Sequence, residues 1–235
     1  MKFGPIAIEN AEGAILAHAT HAGEKRFRKA HRLTAEDLKD LAEAGVREVI
    51  AARLEPDDLD EDEAARRIAA ACRAANVEAR PPSTGRVNIH ATEAGVFLVD
   101  RKIVDAVNGI DPAITLATLN PYAPVEAGQM VATVKIIPFA VAENLVAQAE
   151  NACRAGDIFF VRPFAPRRVG LIQTTLPGVK ASVLDKTARI TEARLARSAS
   201  RIAGELRPPH EAEAVARAIR AQFEDSDILL VFGAS

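Results

Sequence analysis

The chain reads as an α/β protein: mixed α+β N-terminal modules followed by a truncated three-layer α/β domain. Three observations carry that reading. The last quarter, from Arg168-Val169-Gly170-Leu171-Ile172 to Ile228-Leu229-Leu230-Val231-Phe232-Gly233-Ala234-Ser235, runs strand, polar loop, long helix, second helix, second strand. That alternation builds parallel sheets. Two breaker clusters, Arg80-Pro81-Pro82-Ser83-Thr84-Gly85 and Arg162-Pro163-Phe164-Ala165-Pro166, divide the 235 residues where regular structure stops. Ahead of each cluster, short apolar runs alternate with amphipathic helices. The expected modules are therefore residues 1–80 (α/β), 81–165 (β-rich, closed by a helix) and 166–235 (the first part of the three-layer domain).

Composition sets the outer bounds. Hydrophobic residues are 49% of the chain and charged residues 26%, which suits a soluble protein with a sizeable core. A net charge of −2 supplies no global basic field, so neither nucleic acid nor an anionic membrane is an expected partner. Aromatics are only 4%, with no Trp and one Tyr, against the stacking platforms of single-strand binders. No charged leader with an apolar core opens the chain, and no apolar run approaches the roughly 18 residues that span a bilayer. The expected location is cytoplasmic.

In the first module, residues 4–8 and 14–18 look like short strands. Thr34, followed three residues later by Asp37, is close to a capping box. Leu38, Leu41 and Ala42 then form an apolar face that ends at Gly45, and residues 46–51 read as a strand. Asp57, Asp58, Asp60, Glu61, Asp62 and Glu63 open a helix over 61–75, where acidity suits the positive end of the macrodipole. A metal site is the alternative, but the run lacks calcium-loop spacing. His18, His21 and His31 invite a zinc reading, yet no Cys joins them, and surface or interface histidines are the default. Arg26, Arg28, Lys29 and Arg32 surround Phe27. A solvated loop is the default there, with an anion-docking patch as the alternative.

In the second module, residues 87–90 and 96–99 alternate around Glu93-Ala94-Gly95 and suggest a hairpin. A short helix over 101–107, β-rich runs at 113–119 and 130–137, and a helix over 141–154 complete it. The segment around Val125, Gly128, Gln129 and Val131 resembles the turn of lipoyl-type carriers. Lys135, however, lies inside a strand, so it reads as structural or as a ligand contact. Cys72 and Cys153 sit in Ala-rich helical patterns and read as buried or semi-buried free thiols.

In the third block, residues 169–174 are apolar and β-branched, as expected of a strand buried on both faces. Residues 182–202 carry Leu184, Ala188, Ile190 or Thr191, and Leu195 at helical spacing. Pro208-Pro209-His210 interrupts, 211–223 is a second helix, and 227–232 is a strand. A strand that apolar wants neighbours on both edges. Only 169–174 is an obvious one, so the sheet is expected to be incomplete, either capped by another subunit or partly exposed. The loop from Thr174-Thr175 through Gly178 to Ser182 offers hydroxyls, a flexible Gly and N–H groups near a helix N-terminus, which suits an anion. Asp185 and Lys186 sit in that helix's first turns. They read either as a dipole-compensating acid and a solvated cation, or, for Lys186, as a phosphate contact.

As a whole the third block resembles the molybdopterin-binding fold shared by molybdopterin adenylyltransferases and the central domain of molybdopterin molybdotransferases. The matching features are Val169-Gly170-Leu171-Ile172, then Val183-Leu184-Asp185-Lys186-Thr187, and Leu206 to His210 where the family has a short strand and turn. The closing strand resembles the one that runs into the family's Gly-Gly-Thr-Gly loop. Ala11-Glu12-Gly13-Ala14-Ile15-Leu16-Ala17-His18, Lys29-Ala30-His31-Arg32-Leu33-Thr34 and the run from Gln129 to Pro138 resemble the leading region of bacterial proteins of this group. Ala30 stands where those tend to have Gly.

The resemblance implies that Thr174, Thr175, Gly178, Asp185, Lys186, Gly233, Ala234 and Ser235 line a pocket for molybdopterin or adenylated molybdopterin, with Mg and ATP as candidate co-substrates. It implies a part in molybdenum cofactor biosynthesis, either as a transferase or as a non-enzymatic binding or sensing module. A second copy of the chain or a molybdoenzyme is the candidate macromolecular partner. Here Gly-Gly-Thr has become Gly-Ala-Ser, and the family's acids would follow Ser235. Catalytic residues therefore stay unassigned, and no resident metal is expected.

Overall fold

Residues 1–234 are described by the computed structural model, which is mixed α/β, 29% helical and 35% strand, as the alternating patterns require. The chain divides into two compact units, Met1–Arg162 and Pro163–Ser235. The first opens with β1 (Lys2–Ala7), a 3-10 turn (Ile8–Asn10), β2 (Ile15–Leu16) and the hairpin of β3 (Thr20–Ala22) and β4 (Lys25–Phe27). Helix α1 (Ala35–Glu43) and β5 (Glu48–Arg53) follow. β5 lies between β1 and β2, antiparallel to both. Leu16, Leu33, Leu41 and Ala51 are buried in a first core.

The start of α1 is set locally. Thr34 accepts the Asp37 N–H at 3.3 Å, and Asp37 accepts the Thr34 amide at 2.9 Å, a reciprocal box that satisfies two orphan donors. The His31 ring reaches the same carboxylate at 2.8 Å.

The rest of this unit comprises β6 (Asp58–Asp60), α2 (Glu61–Ala71), β7 (Ala74–Ala75), β8 (Val77–Ala79), β9 (Arg86–Ala91), β10 (Gly95–Val99) and α3 (Arg101–Asn108). It continues with β11 (Ile114–Thr118), β12 (Pro124–Val125), β13 (Met130–Ile136), β14 (Ala140–Ala142), α4 (Glu143–Cys153) and β15 (Phe159–Pro163). Two sheets result, ordered β11-β13-β9-β8 and β12-β10-β15-β7, with β14 paired to β6. Helix α2 packs on β9, β13 and α4, and Ile68, Phe97, Val134, Val146 and Phe159 are fully buried in the second core. Cys72 and Cys153 are free, and their sulfurs approach to 3.5 Å where α2 and α4 end.

Three expectations fail here for one reason: strand partners are chosen over long range. Residues 87–90 and 96–99 are strands but not a hairpin. β9 pairs with β13 and β8, while β10 joins β12 and β15. Gly95 is not a turn residue but opens β10, where an added Cβ would lie 2.2 Å from the Arg162 carbonyl oxygen. The helix expected over 61–75 stops at Ala71, because Ala74–Ala75 pairs in parallel with Phe159–Phe160.

The second unit is β16 (Arg168–Gln173), α5 (Ala181–Ala196), β17 (Arg201–Leu206), α6 (Ala212–Gln222) and β18 (Ile228–Phe232). Its sheet is parallel, ordered β17-β16-β18. The helix expected over 182–202 ends at Ala196, and the second strand lies at Arg201–Leu206 rather than at Leu206 to His210. Pairing with β16 overrides the helical pattern.

The central strand is covered on both faces. A Cβ at Gly170 would meet Gln222 Oε1 of α6 at 2.2 Å, whereas Gln173 Nε2 donates to the Leu184 carbonyl of α5 at 3.0 Å. Positions 170 and 173 point to opposite faces of a strand, so the two helices flank the sheet. Among the described residues β18 pairs with β16 alone, and Ile228, Val231 and Phe232 are 42–45% exposed.

Two outcomes follow. Gly95→Ala forces a methyl into a main-chain carbonyl, so urea unfolding of the first unit should show a loss of about 1–3 kcal/mol; a loss below about 0.5 kcal/mol would contradict the close approach. Burial alone would push the Asp37 carboxyl up, but the Thr34 amide, the His31 ring and the Thr34 hydroxyl outweigh it and hold the group below its ordinary value. A depressed folded value means that Asp37 stabilises fully above the unfolded value of about 3.9 and loses that contribution as pH falls through the folded value. Asp37→Asn should therefore flatten the acid limb of a stability–pH curve below about pH 4 and leave its slope near neutrality unchanged.

Candidate functional site at the strand ends

The carboxyl ends of a parallel sheet are where open α/β folds place ligands, because the strand-to-helix loops converge there. In the second unit those loops meet at Thr174. Its side chain is buried, and its hydroxyl accepts the Ala234 N–H at 2.6 Å and meets His210 Nδ1 at 2.8 Å. Its amide donates to the Phe232 carbonyl at 2.9 Å. One side chain thus joins the ends of all three strands.

The Thr174 hydroxyl also lies 3.4 Å from the Phe232 carbonyl, a much weaker contact than the 2.8 Å one. The direction of the 2.8 Å contact follows the His210 tautomer: with Nδ1 bare, the ring accepts the hydroxyl proton and carries its own hydrogen on Nε2. His210 is exposed. Its Cε1 lies 3.6 Å from where a Cβ at Gly233 would stand.

Thr175 binds the same neighbouring loop. Its amide and hydroxyl both donate to the Pro208 carbonyl, at 2.8 and 3.2 Å, and its carbonyl accepts the His210 N–H at 2.9 Å. Gly178 adopts φ +93 with nothing within 4 Å of an added Cβ, a left-handed turn before α5 that any other residue would strain. Lys180 precedes α5 and forms no side-chain cap; the Val183 N–H donates to the Lys180 carbonyl at 3.0 Å, which leaves the Ala181 and Ser182 N–H groups as first-turn donors for an anion.

Asp185 is not a free pocket carboxylate. Arg207 pairs with it at 2.7 Å and with Glu205 at 2.5 Å, and these two carboxylates hold the guanidinium even more firmly charged. Gln173 Nε2 also donates to Glu205, at 2.8 Å. Lys186 is exposed and forms no ion pair among the described residues. Ser235 lies outside the described residues.

Of the sequence-predicted residues, Thr174 and Ala234 touch directly, with Gly233 beside them across His210. Thr175 is tied to the neighbouring loop and Gly178 forms the bend. Asp185 belongs to a separate ion-paired cluster, and Lys186 stands apart. Sequence reasoning did not select His210, Gln173, Glu205 or Arg207. Polar residues at the ends of apolar strands were the available signal, but the helix was read through residue 202, over the first two residues of the strand that holds Glu205.

Thr174→Val keeps the shape and removes the hydroxyl. It should cost about 1 kcal/mol and speed amide exchange at Ala234, while Thr174→Ser should preserve both. Unchanged exchange at Ala234 in the Val variant would show that the hydroxyl does not hold the β18 end.

Residues 5–53, the region of the first core, match the model of a domain of unknown function (DUF8806). No curated protein matches the chain. Among solved structures, the crystal structure of the molybdopterin biosynthesis moea protein from Pyrococcus horikosii is a weak neighbour, at 11% identity and TM-score 0.23 over 75% of this chain. The match spans 64% of that chain's length. At that score the two folds do not superpose as wholes, and the likeness settles neither fold nor activity.

Proposed function

We propose that this chain is a molybdopterin-binding protein connected with molybdenum cofactor biosynthesis, and that the strand ends of its second unit hold the pterin phosphate. The observation that carries the reading is the convergence of three strand ends on Thr174. It leaves the exposed His210 ring and the Ala181 and Ser182 amides at the start of α5 beside a small-residue loop. Such donors suit a phosphate, which takes hydrogen bonds from backbone amides and helix N-termini. The sequence resemblance supplies the identity of the ligand. Lys186 would add a neutralising charge to the bound form. Orientation and electrostatics are what this arrangement can contribute.

One observation favours binding over adenylyl or metal transfer by this chain. Two carboxylates of this region, Asp185 and Glu205, are both committed to Arg207. Neither is free to accept Mg without breaking an ion pair.

Isothermal titration with molybdopterin and adenylated molybdopterin tests the reading, followed by an adenylyl-transfer assay with Mg-ATP. Binding is expected, weakened about tenfold, or about 1.4 kcal/mol, by His210→Ala and by Lys186→Ala, with no turnover. Absence of binding to either pterin would overturn the proposal, and turnover would replace the binding module with a transferase.

A further inference from the structure

In the first unit, Arg86 of β9 and Lys135 of β13 are direct antiparallel partners. Like charges directly opposite each other across a sheet repel. Neither residue forms an ion pair or a side-chain hydrogen bond among the described residues. Both instead line a cavity of about 390 Å³, within the range of small-molecule sites. A third cation, Lys29, lines it as well, with its ammonium 5.6 Å from the centre of the Phe139 ring that forms another wall.

The backbone around the cavity is held in a conformation that side chains disfavour. Ala30 and Thr84, both lining residues, have φ of +67 and +50, a region that costs energy for any residue but Gly and tends to mark functional positions. Gly85 follows at φ +70, and its amide donates to Asp62 at 2.7 Å. A Cβ there would stand 2.9 Å from Glu61 Oε2 and from the Ile136 carbonyl. Glu61 is the one carboxylate on the cavity wall. Burial pushes its carboxyl up, the Asp62 charge adds to that, and Lys29 opposes it.

We propose that this cavity is a binding site for a small phosphate ester, with Arg86, Lys135 and Lys29 holding the phosphate and Glu61 accepting a hydroxyl of the ester. A bound phosphate would turn a repulsive cross-strand pair into two attractive contacts. The Arg fork suits two phosphate oxygens, and Lys acts as a point charge. Three cations exceed what a single carboxylate ligand needs. The proposal does not rest on the strand-end site of the second unit.

Thermal unfolding in inorganic phosphate and in glycerol phosphate, against sodium chloride at matched ionic strength, tests it. Ligand binding to the folded state raises Tm with concentration. Phosphate also stabilises proteins generally by exclusion, so the decisive quantity is the difference between wild type and variants. Lys135→Gln and Arg86→Gln should each weaken the response about tenfold, while Lys135→Arg and the control Arg220→Gln, in α6 of the second unit, keep it. Without phosphate, both Gln variants should melt no lower than wild type, because each removes a repulsion. An equal phosphate response in wild type and both Gln variants, or Gln variants that melt lower without phosphate, would overturn the proposal.

Discussion

The strand-end site depends on one requirement: the backbone of β16 must be hydrogen-bonded along both edges while its side chains are buried on both faces. A strand so placed can carry only apolar, very small or fully satisfied residues. Val169, Leu171 and Ile172 meet the first condition. Gly170 meets the second, lying against the side chain of Gln222. Gln173 meets the third by donating to both Leu184 and Glu205. Pairing on both edges also brings the ends of β17 and β18 level with the end of β16, so the first residue beyond it, Thr174, can reach both loops. The knot at Thr174 follows from the sheet and was not a separate local choice.

Charge is handled differently at the strand ends and on the β9–β13 ladder. Around the strand ends, Asp185, Glu205 and Arg207 satisfy one another. Only Asp185 is largely exposed, at 63%, with Arg207 at 31% and Glu205 at 26%; pairs open to water contribute modestly to stability, and these link the loop after β17 to the start of α5. On the β9–β13 ladder, Arg86 and Lys135 face each other and form no ion pair among the described residues.

Legibility in the sequence followed the range of the interaction. The box between Thr34 and Asp37 spans three residues and was visible as spacing alone. The acidic start of α2, the burial of 169–174 and the small-residue loop beyond β18 were equally visible, because each is a composition imposed by an immediate neighbourhood. The partners of β9 and β10 were not. Alternation shows that a segment is a strand and which residues share a face, but several edges satisfy the same alternation. The helix read through to 202 failed similarly: residues 197–202 keep a tolerable helical pattern, and only pairing with β16 makes Arg201–Leu206 extended.

The sequence by itself determined the mixed α/β character, the cap of the first helix, the buried central strand and the chemical type of the loops at its end. Those properties come from side-chain size, polarity and backbone preference acting within a few residues. Tertiary structure alone decided that Thr174 meets His210 and Ala234, that Arg207 occupies Asp185 and Glu205, and that Arg86 stands opposite Lys135. Apart from the Arg207–Glu205 pair, two positions apart, each of these joins residues between 22 and 60 positions apart or pairs strands through a register. Closing such loops costs entropy that only the assembled cores can offset, so the contacts exist once the fold is complete and leave no periodic trace in the chain.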